Sequence, residues 1–520
     1  MSVISTLAAA RDVAIPEGPA GRRRRMVVLL ICSSSLFMAY LDSTILNIAL
    51  PTLQADLHAS LTGLQWIADA YLLDLTSLLL LSGSLADRFG RRRLFTLGLF
   101  GFSLGSLLCS LAPNTGSLVA LRMLQALGGS MLVPVSLSIV RNTFTDARER
   151  AQAIGIWSGI FGLAAACGPV AGGVLVSEVG WRSVFWVNVP IGVAMMLAAG
   201  RYLPESRAPH PRRLDVPGQL LMIIFLGTLT YAVIQGPDYG WGSARILTLF
   251  ATSAAALAAF VAVERRRAEP LLELRFFRSL PFCGASVIAV LSFIVLAGFL
   301  FVITLYLQQV RGYSALGAGL ALLPATVVMA LAAPVAGALT GWRGPRIPLV
   351  ASGAAIAAGG AALLGLSPAT SYPWLALAMA VLGAGLGLVN PPITNTGVSG
   401  MPPSQAGVAS AVISVTRQFG SVLGVAIMGA MLTASLHAGL AAGSPRPQAF
   451  SAATHGPWLL TVVCGLLVAV AGLVTTSARA LATARAVAVD DYPAEADLFT
   501  PRAASWAART APSGCCRGTG

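Results

Sequence analysis

Gly83-Ser84-Leu85-Ala86-Asp87-Arg88-Phe89-Gly90-Arg91-Arg92 follows one long apolar run, and Gly337-Ala338-Leu339-Thr340-Gly341-Trp342-Arg343-Gly344-Pro345-Arg346 follows another. Glycine, leucine, glycine and arginine recur at matching offsets, so the two runs are corresponding parts of an internal repeat. Around them the chain carries fourteen windows with the roughly 20 apolar residues that a helix needs to cross a bilayer. Their limits are about residues 27–49, 64–86, 94–112, 117–140, 151–176, 183–200, 218–236, 245–263, 284–308, 315–340, 347–366, 373–395, 408–434 and 457–476. Matching the second window to the tenth divides them as six, two and six. Two related bundles about an axis along the membrane normal, joined by two further helices, is a transporter architecture.

Composition agrees with that reading. Of 520 residues 56% are hydrophobic and 10% charged, with a mean hydropathy of +0.78, whereas soluble domains carry roughly 25% charged residues. All 34 basic residues are Arg, which excludes chemistry that needs a lysine amine, such as the phosphate-binding loop or a Schiff base. The net charge of +14 is not a nucleic-acid signal, because the Arg clusters punctuate apolar runs instead of forming one wet surface. His58, His210, His437 and His455 are scattered without metal-ligand spacing, so neither a metal site nor a cofactor is expected. Cys32, Cys109, Cys167, Cys283 and Cys464 fall inside apolar runs and read as small buried hydrophobes, while Cys515 and Cys516 lie in the tail.

An even number of spans puts both termini on one side. Assigning that side to the cytoplasm places 28 Arg inside and only Arg182, Arg245, Arg311 and Arg446 outside, with Arg122 and Arg417 within spans. That asymmetry follows the positive-inside rule. The expected organisation is a cytoplasmic N-terminal tail over 1–25, a first six-helix bundle over 26–200, two bridging helices with basic loops over 201–280, a second bundle over 281–477, and a disordered cytoplasmic tail over 478–520.

Among 20 Asp and Glu, only Asp42, Asp69 and Asp74 fall within spans, and no acid occurs between Glu273 and Asp490. A carboxylate in the bilayer interior costs several kcal/mol unless it is protonated, paired or wet, so each is a candidate functional group. At 1.5 Å per residue, Asp42 lies roughly 12 Å, Asp74 roughly 16 Å and Arg122 roughly 9 Å below the outer ends of their helices, so the three can share a layer. Arg122 cannot shed its proton and needs a partner, for which Asp42 and Asp74 are both eligible by depth. Asp69, nearer the outer end, reads equally as a solvated helix-end acid.

The segment Leu41-Asp42-Ser43-Thr44-Ile45-Leu46-Asn47-Ile48-Ala49-Leu50-Pro51 resembles the first-span motif of the fourteen-span drug:proton antiporters of the major facilitator superfamily. Five further motifs stand in register. Gly83 to Arg93 resembles the loop motif after span two, and Arg122-Met123-Leu124-Gln125 the fourth-span arginine motif. Gly159 with Gly168-Pro169-Val170-Ala171-Gly172-Gly173 resembles the fifth-span antiporter motif. Trp181-Arg182 leading to Phe185, Asn188 and Pro190, and Arg417-Gln418-Phe419-Gly420, complete the set. The resemblance covers about residues 26–476. Two departures are Ala126, where the family often has Gly, and Asp74, where an apolar residue is usual.

What the resemblance implies is an all-α protein of two six-helix bundles of the major facilitator type plus two central helices, exporting amphipathic or antibiotic-like molecules in exchange for protons. Its alternatives are export of an endogenous metabolite, lipid or siderophore, and uptake by proton symport. Enzymatic activity is not expected. Asp42, Asp74 and Arg122 then form the proton-coupling group. Asp69, Asn47 and Arg417 are candidates for a substrate or cation site, Arg417 reading equally as a snorkelling residue. Gly83, Asp87, Arg88, Gly90 and Arg91 form a latch whose charges break and reform, with Gly341 replacing the acid in the second copy. Gly159, Gly168, Pro169, Gly172 and Gly173 form the antiporter motif, small faces that admit close helix approach. Acids facing the cavity would favour cationic or neutral lipophilic substrates. Partners are expected to be substrate, protons and membrane lipid, the protein acting as a monomer. The lack of Lys beside abundant Arg, Ala and Gly suggests a GC-rich bacterial genome, hence the cytoplasmic membrane of a bacterium, with self-resistance a plausible setting.

Overall fold

A computed structural model of the chain describes residues 19–208, 214–267, 272–399 and 405–491. His210, Cys515, Cys516 and most of the N-terminal and C-terminal tails lie outside the described residues.

Among the described residues, fourteen helices are long and apolar enough to cross a membrane. Spans 1 to 6 are Gly21–Leu57, Leu61–Phe89, Arg91–Ser110, Thr115–Thr143, Gln152–Glu178 and Ser183–Tyr202. Spans 7 and 8 are Val216–Tyr239 and Ala244–Glu264. Spans 9 to 14 are Leu280–Val310, Ala315–Arg343, Arg346–Leu363, Tyr372–Val398, Val408–Ala441 and Arg446–Thr475. Each contains its sequence window or nearly so, and most run longer. The extra turns come from polar ends that hydrophobicity does not see. Ser60 accepts from Gly63 N, Ser243 from Ile246 N and Ser314 from Gly317 N, while Asn114 and Ser117 form a reciprocal capping box.

Two further departures are local. Span 14 breaks at Thr454 and span 9 ends in a π-helical turn, Tyr306–Val310. Residues 478–491, expected in a disordered tail, form the helix Ala478–Asp491, whose buried Ala480, Ala484 and Val487 supply an apolar stripe at helical spacing. Cys32, Cys109 and Cys464 are buried, but Cys167 is exposed and Cys283 only half-buried, so the expectation of five buried thiols fails at two positions.

The repeat is present in three dimensions. Spans 2 and 10 both stop at the matching glycine, Gly90 with φ +112° and Gly344 with φ +80°, values that side chains with a Cβ rarely adopt. Two turns earlier, a Cβ on Gly83 would lie 4.0 Å from Pro134 of span 4, and one on Gly337 would lie 4.0 Å from Pro391 of span 12. Spans 1 to 6 pack on one another, spans 9 to 14 do likewise, and spans 7 and 8 form a pair resting on spans 2 and 13.

The two halves are tied together on the face opposite the N-terminus. Gln65 of span 2 donates to the carbonyls of Val425 (3.4 Å) and Ala426 (3.1 Å) in span 13. Gln308 donates to Ile48 O at 3.0 Å, Gln309 to Gln54 Oε1 at 2.6 Å, and Leu316 N to Ser177 Oγ at 3.2 Å. Toward the other face the glycine side of span 5 is bare: a Cβ on Gly155, Gly159 or Gly162 would meet no described atom within 4 Å.

Candidate functional site

Between the halves lies a cavity of about 1160 Å³, counting its open mouth. Span 1 contributes Tyr40, Ser43, Thr44 and Asn47, span 4 contributes Arg122, and the second half contributes Phe293, Phe299, Thr326, Gln418 and Ser421. Among the described residues no Asp or Glu lines it. The expectation of an acid-lined cavity is therefore corrected, because each in-span acid turns away from the lumen.

Asp42 stands behind the wall, at the centre of a donor cage. Arg122 Nη1 lies 2.5 Å from Asp42 Oδ2, with both side chains 1% exposed. Oδ1 accepts from Gln125 Nε2 at 2.9 Å and from Asn188 Nδ2 at 2.7 Å. Ser106 Oγ receives the same two amides, at 3.3 Å and 3.0 Å, and donates to Phe185 O at 3.0 Å. Spans 1, 4 and 6 thus meet at one carboxylate, and span 3 joins them through Ser106. Arg122 also donates to Gln125 Oε1 at 2.9 Å, and its guanidinium carbon lies 4.3 Å from the Tyr71 ring centroid, within cation–π range. Every contact to Asp42 is a donor, and Coulomb attraction in a dry site offsets the cost of burying the pair only with such geometry. Arg122 Nε, Asn188 Oδ1 and Tyr71 Oη remain without partners in this conformation.

The other in-span acids stand apart. Asp74 is half-buried and forms no ion pair among the described residues. Depth admitted it beside Asp42; its azimuth on span 2 does not bring it to Arg122. Asp69 is 0% exposed and neither carboxyl oxygen has a hydrogen-bond partner, which overturns its reading as a solvated helix-end acid. It lies on the helical stripe between Trp66 and Leu73, which pack against spans 7 and 13. Asn47 faces the cavity and donates to Ser43 O at 3.0 Å. Arg417 Nη2 donates to Thr394 Oγ1 at 2.6 Å and Asn390 O at 3.4 Å.

At the junction of spans 2 and 3, Asp87 pairs with Arg91 at 2.7 Å, while Arg88 is exposed beside the Phe89 ring. A second acid takes part. Glu205 Oε1 accepts from Arg92 N at 3.2 Å, Glu205 Oε2 lies 3.7 Å from Arg93 Nε, and a Cβ on Gly90 would meet Oε1 at 2.6 Å. Glu205 therefore neutralises the N-terminus of span 3. In span 5, a Cβ on Gly168 would collide with Thr44 Oγ1, one on Gly172 would lie 3.1 Å from Ile45 O, and one on Gly173 would lie 2.7 Å from Leu316 Cα. The motif glycines thus seat span 5 against span 1 and span 10 together. A Cβ on Gly319 of span 10 would strike Pro169 O.

Sequence reading missed Asn188, Ser106, Tyr71, Gln65 and Glu205 as site residues. Asn188 stood in a quoted motif, and Gln65 is a lone amide in an apolar run; Ser106 and Tyr71 carried no signal.

A bundle pair with an internal repeat and a central cavity tied shut at one end defines a membrane transporter, and the family follows from comparison. The Major Facilitator Superfamily model matches residues 32–425, and the chain belongs to that superfamily. It is a multi-pass membrane protein. The chain is 37% identical over 418 residues to Multidrug resistance protein Stp of Mycobacterium tuberculosis (strain CDC 1551 / Oshkosh), covering 80% of this chain and 78% of that one. It is 39% identical over 412 residues to the Tetracenomycin C resistance and export protein of Streptomyces glaucescens, covering 79% and 76%. It is 35% identical over 481 residues to Puromycin resistance protein pur8 of Streptomyces alboniger, covering 91% and 94%. Its fold matches, at 19% identity and a TM-score of 0.61, an inward-facing bacterial homolog of the human lysosomal transporter Spinster, covering 89% of this chain and 97% of that one.

Proposed function

We propose that the protein is a proton-driven exporter of amphipathic or antibiotic-like small molecules in the bacterial cytoplasmic membrane, acting as a monomer with both termini cytoplasmic. The observation that carries the coupling is the sealed pair of Asp42 and Arg122 at the cavity wall. Protonation of Asp42 removes the charge that holds Arg122, Gln125 and Asn188 in one arrangement, and so biases one conformation over the other. The bare glycine side of span 5 and the glutamine contacts on the opposite face support a described conformation that opens toward the proposed cytoplasmic side.

The energetics suffice. An inward proton yields about 2.3 kcal/mol per 100 mV, and each pH unit adds about 1.36 kcal/mol. One or two protons sustain a tenfold to several-hundredfold substrate gradient. The resistance and export names of the relatives support drug efflux over nutrient uptake, and transport over enzymatic turnover. Inverted vesicles carrying the full chain test this. An imposed pH gradient should drive accumulation of a lipophilic drug, and no gradient-dependent accumulation across a panel that includes puromycin would sink the reading.

A further inference from the structure

Arg417 is a half-buried guanidinium that forms no ion pair among the described residues. It lies in span 13, held by Thr394 and the Asn390 carbonyl of span 12, and its Nε has no partner. No carboxylate among the described residues pairs with it, and the sequence has no acid between Glu273 and Asp490. Its surroundings open on the central cavity. The Phe293 ring centroid lies 6.0 Å from its Cζ, the Tyr40 side chain is near enough to interact electrostatically, and both rings line the lumen together with Gln418, the next residue along span 13. Arg122, the other arginine at this cavity, is already neutralised by Asp42. A positive charge without a paired carboxylate among the described residues therefore stands beside the part of the lumen lined by Phe293 and Gln418.

A guanidinium keeps its charge at any physiological pH, and an unpaired one inside a membrane is expensive to retain. Bridging spans 12 and 13 through Thr394 would need only a neutral donor. The planar fork instead matches a delocalised anion, and the remaining lining is largely apolar and aromatic. We infer that Arg417 receives the anionic group, a carboxylate, sulfonate or acidic phenol, of a transported molecule whose hydrophobic body fills the cavity beside Phe293. This rests on the export reading above and narrows its substrate class.

A matched pair of probes, 2-naphthoate and its neutral amide 2-naphthamide, tests it on the purified full chain. Equilibrium dialysis of the wild type should show naphthoate bound at least about tenfold more tightly than the amide, the size expected of a charge-assisted hydrogen bond. Arg417→Gln should bring that ratio close to one, while Arg417→Lys, which keeps the charge without the fork, should leave it in between. A wild type that binds the amide as well as the acid, or a ratio that Arg417→Gln leaves unchanged, overturns the inference. Should the Gln variant fail to fold, the Lys variant decides, and an unaltered ratio there counts against it. In vesicles, gradient-driven accumulation of both probes without charge preference would overturn this inference and leave the export reading standing. Absence of accumulation of either probe and of every drug in the panel would overturn the export reading, with dialysis still deciding Arg417.

Discussion

Arg122 and Asp42 lie eighty residues apart in the chain and meet at 2.5 Å, in a pocket from which solvent is excluded. One is on span 4 and the other on span 1, so their contact fixes the relative rotation of two helices as well as their distance. The pair is completed by amides from spans 4 and 6. Such a cage holds charge, and it does so beside a cavity with no acid of its own.

Replacing Asp42 by Asn should remove gradient-driven transport and leave Arg122 buried without a counter-charge. Losing one partner of a buried pair costs about 3–5 kcal/mol, so the variant should melt well below the wild type. Adding Arg122→Gln should recover much of the melting temperature without recovering coupling. Vesicle flux and thermal melts of the two variants separate these effects; near-normal coupling in Asp42→Asn would refute the assignment.

Asn188 deserves the same test for a different reason. Its amide bridges Asp42 Oδ1 and Ser106 Oγ, so Asn188→Leu removes two hydrogen bonds while keeping the ion pair. A hydrogen bond to a charged group contributes about 1.5–3 kcal/mol, and a loss of that size should appear in denaturation of the purified protein. A variant as stable as the wild type would mean that Arg122 and Gln125 hold the carboxylate by themselves.

The closed end of the cavity is sensitive to single methyl groups. A Cβ at Gly319 would strike the Pro169 carbonyl, a backbone atom that cannot swing aside. Gly319→Val should therefore hold spans 5 and 10 apart, at about 1–3 kcal/mol against the closed arrangement. In a cysteine-free background, disulfide formation between Ser177→Cys and Leu316→Cys, whose side-chain hydroxyl and backbone amide are 3.2 Å apart in the wild type, should fall about tenfold. Unchanged cross-linking would show that the contact yields.

Much of this was readable from residues alone, and the limits have physical causes. Long apolar windows located every span, because a bilayer demands them, and the Gly83 and Gly337 segments identified the repeat that the matching breaks at Gly90 and Gly344 display. Depth followed from helical rise and put Asp42, Asp74 and Arg122 in one layer. Azimuth did not follow, since which face of span 2 meets span 4 depends on packing with every neighbour; hence Asp74 was an equal candidate until the structure paired Asp42 with Arg122. Asp69 was misread because sequence position measures distance from the helix end, whereas its burial comes from spans 7 and 13 folding over it. Glu205 was unreadable as a cap, being more than a hundred residues from the helix it caps.

Gln65 offers the last test, because it is a polar tie across the two halves. Buried in span 2, it donates to two carbonyls of span 13 and occupies the space that a side chain at Gly429 would need. Those carbonyls belong to a helix that satisfies them internally, so the tie is worth about 1 kcal/mol, close to what interhelical hydrogen bonds contribute in membranes. Gln65→Leu keeps the volume and removes the donors. The conformation open to the proposed outer face should then gain about fivefold in population. An impermeant maleimide should label Ala318→Cys, buried at this end, correspondingly faster from outside in a cysteine-free background. Labelling that is unchanged in rate would mean that apolar packing alone closes this end, and that Gln65 serves only the fit of spans 2 and 13.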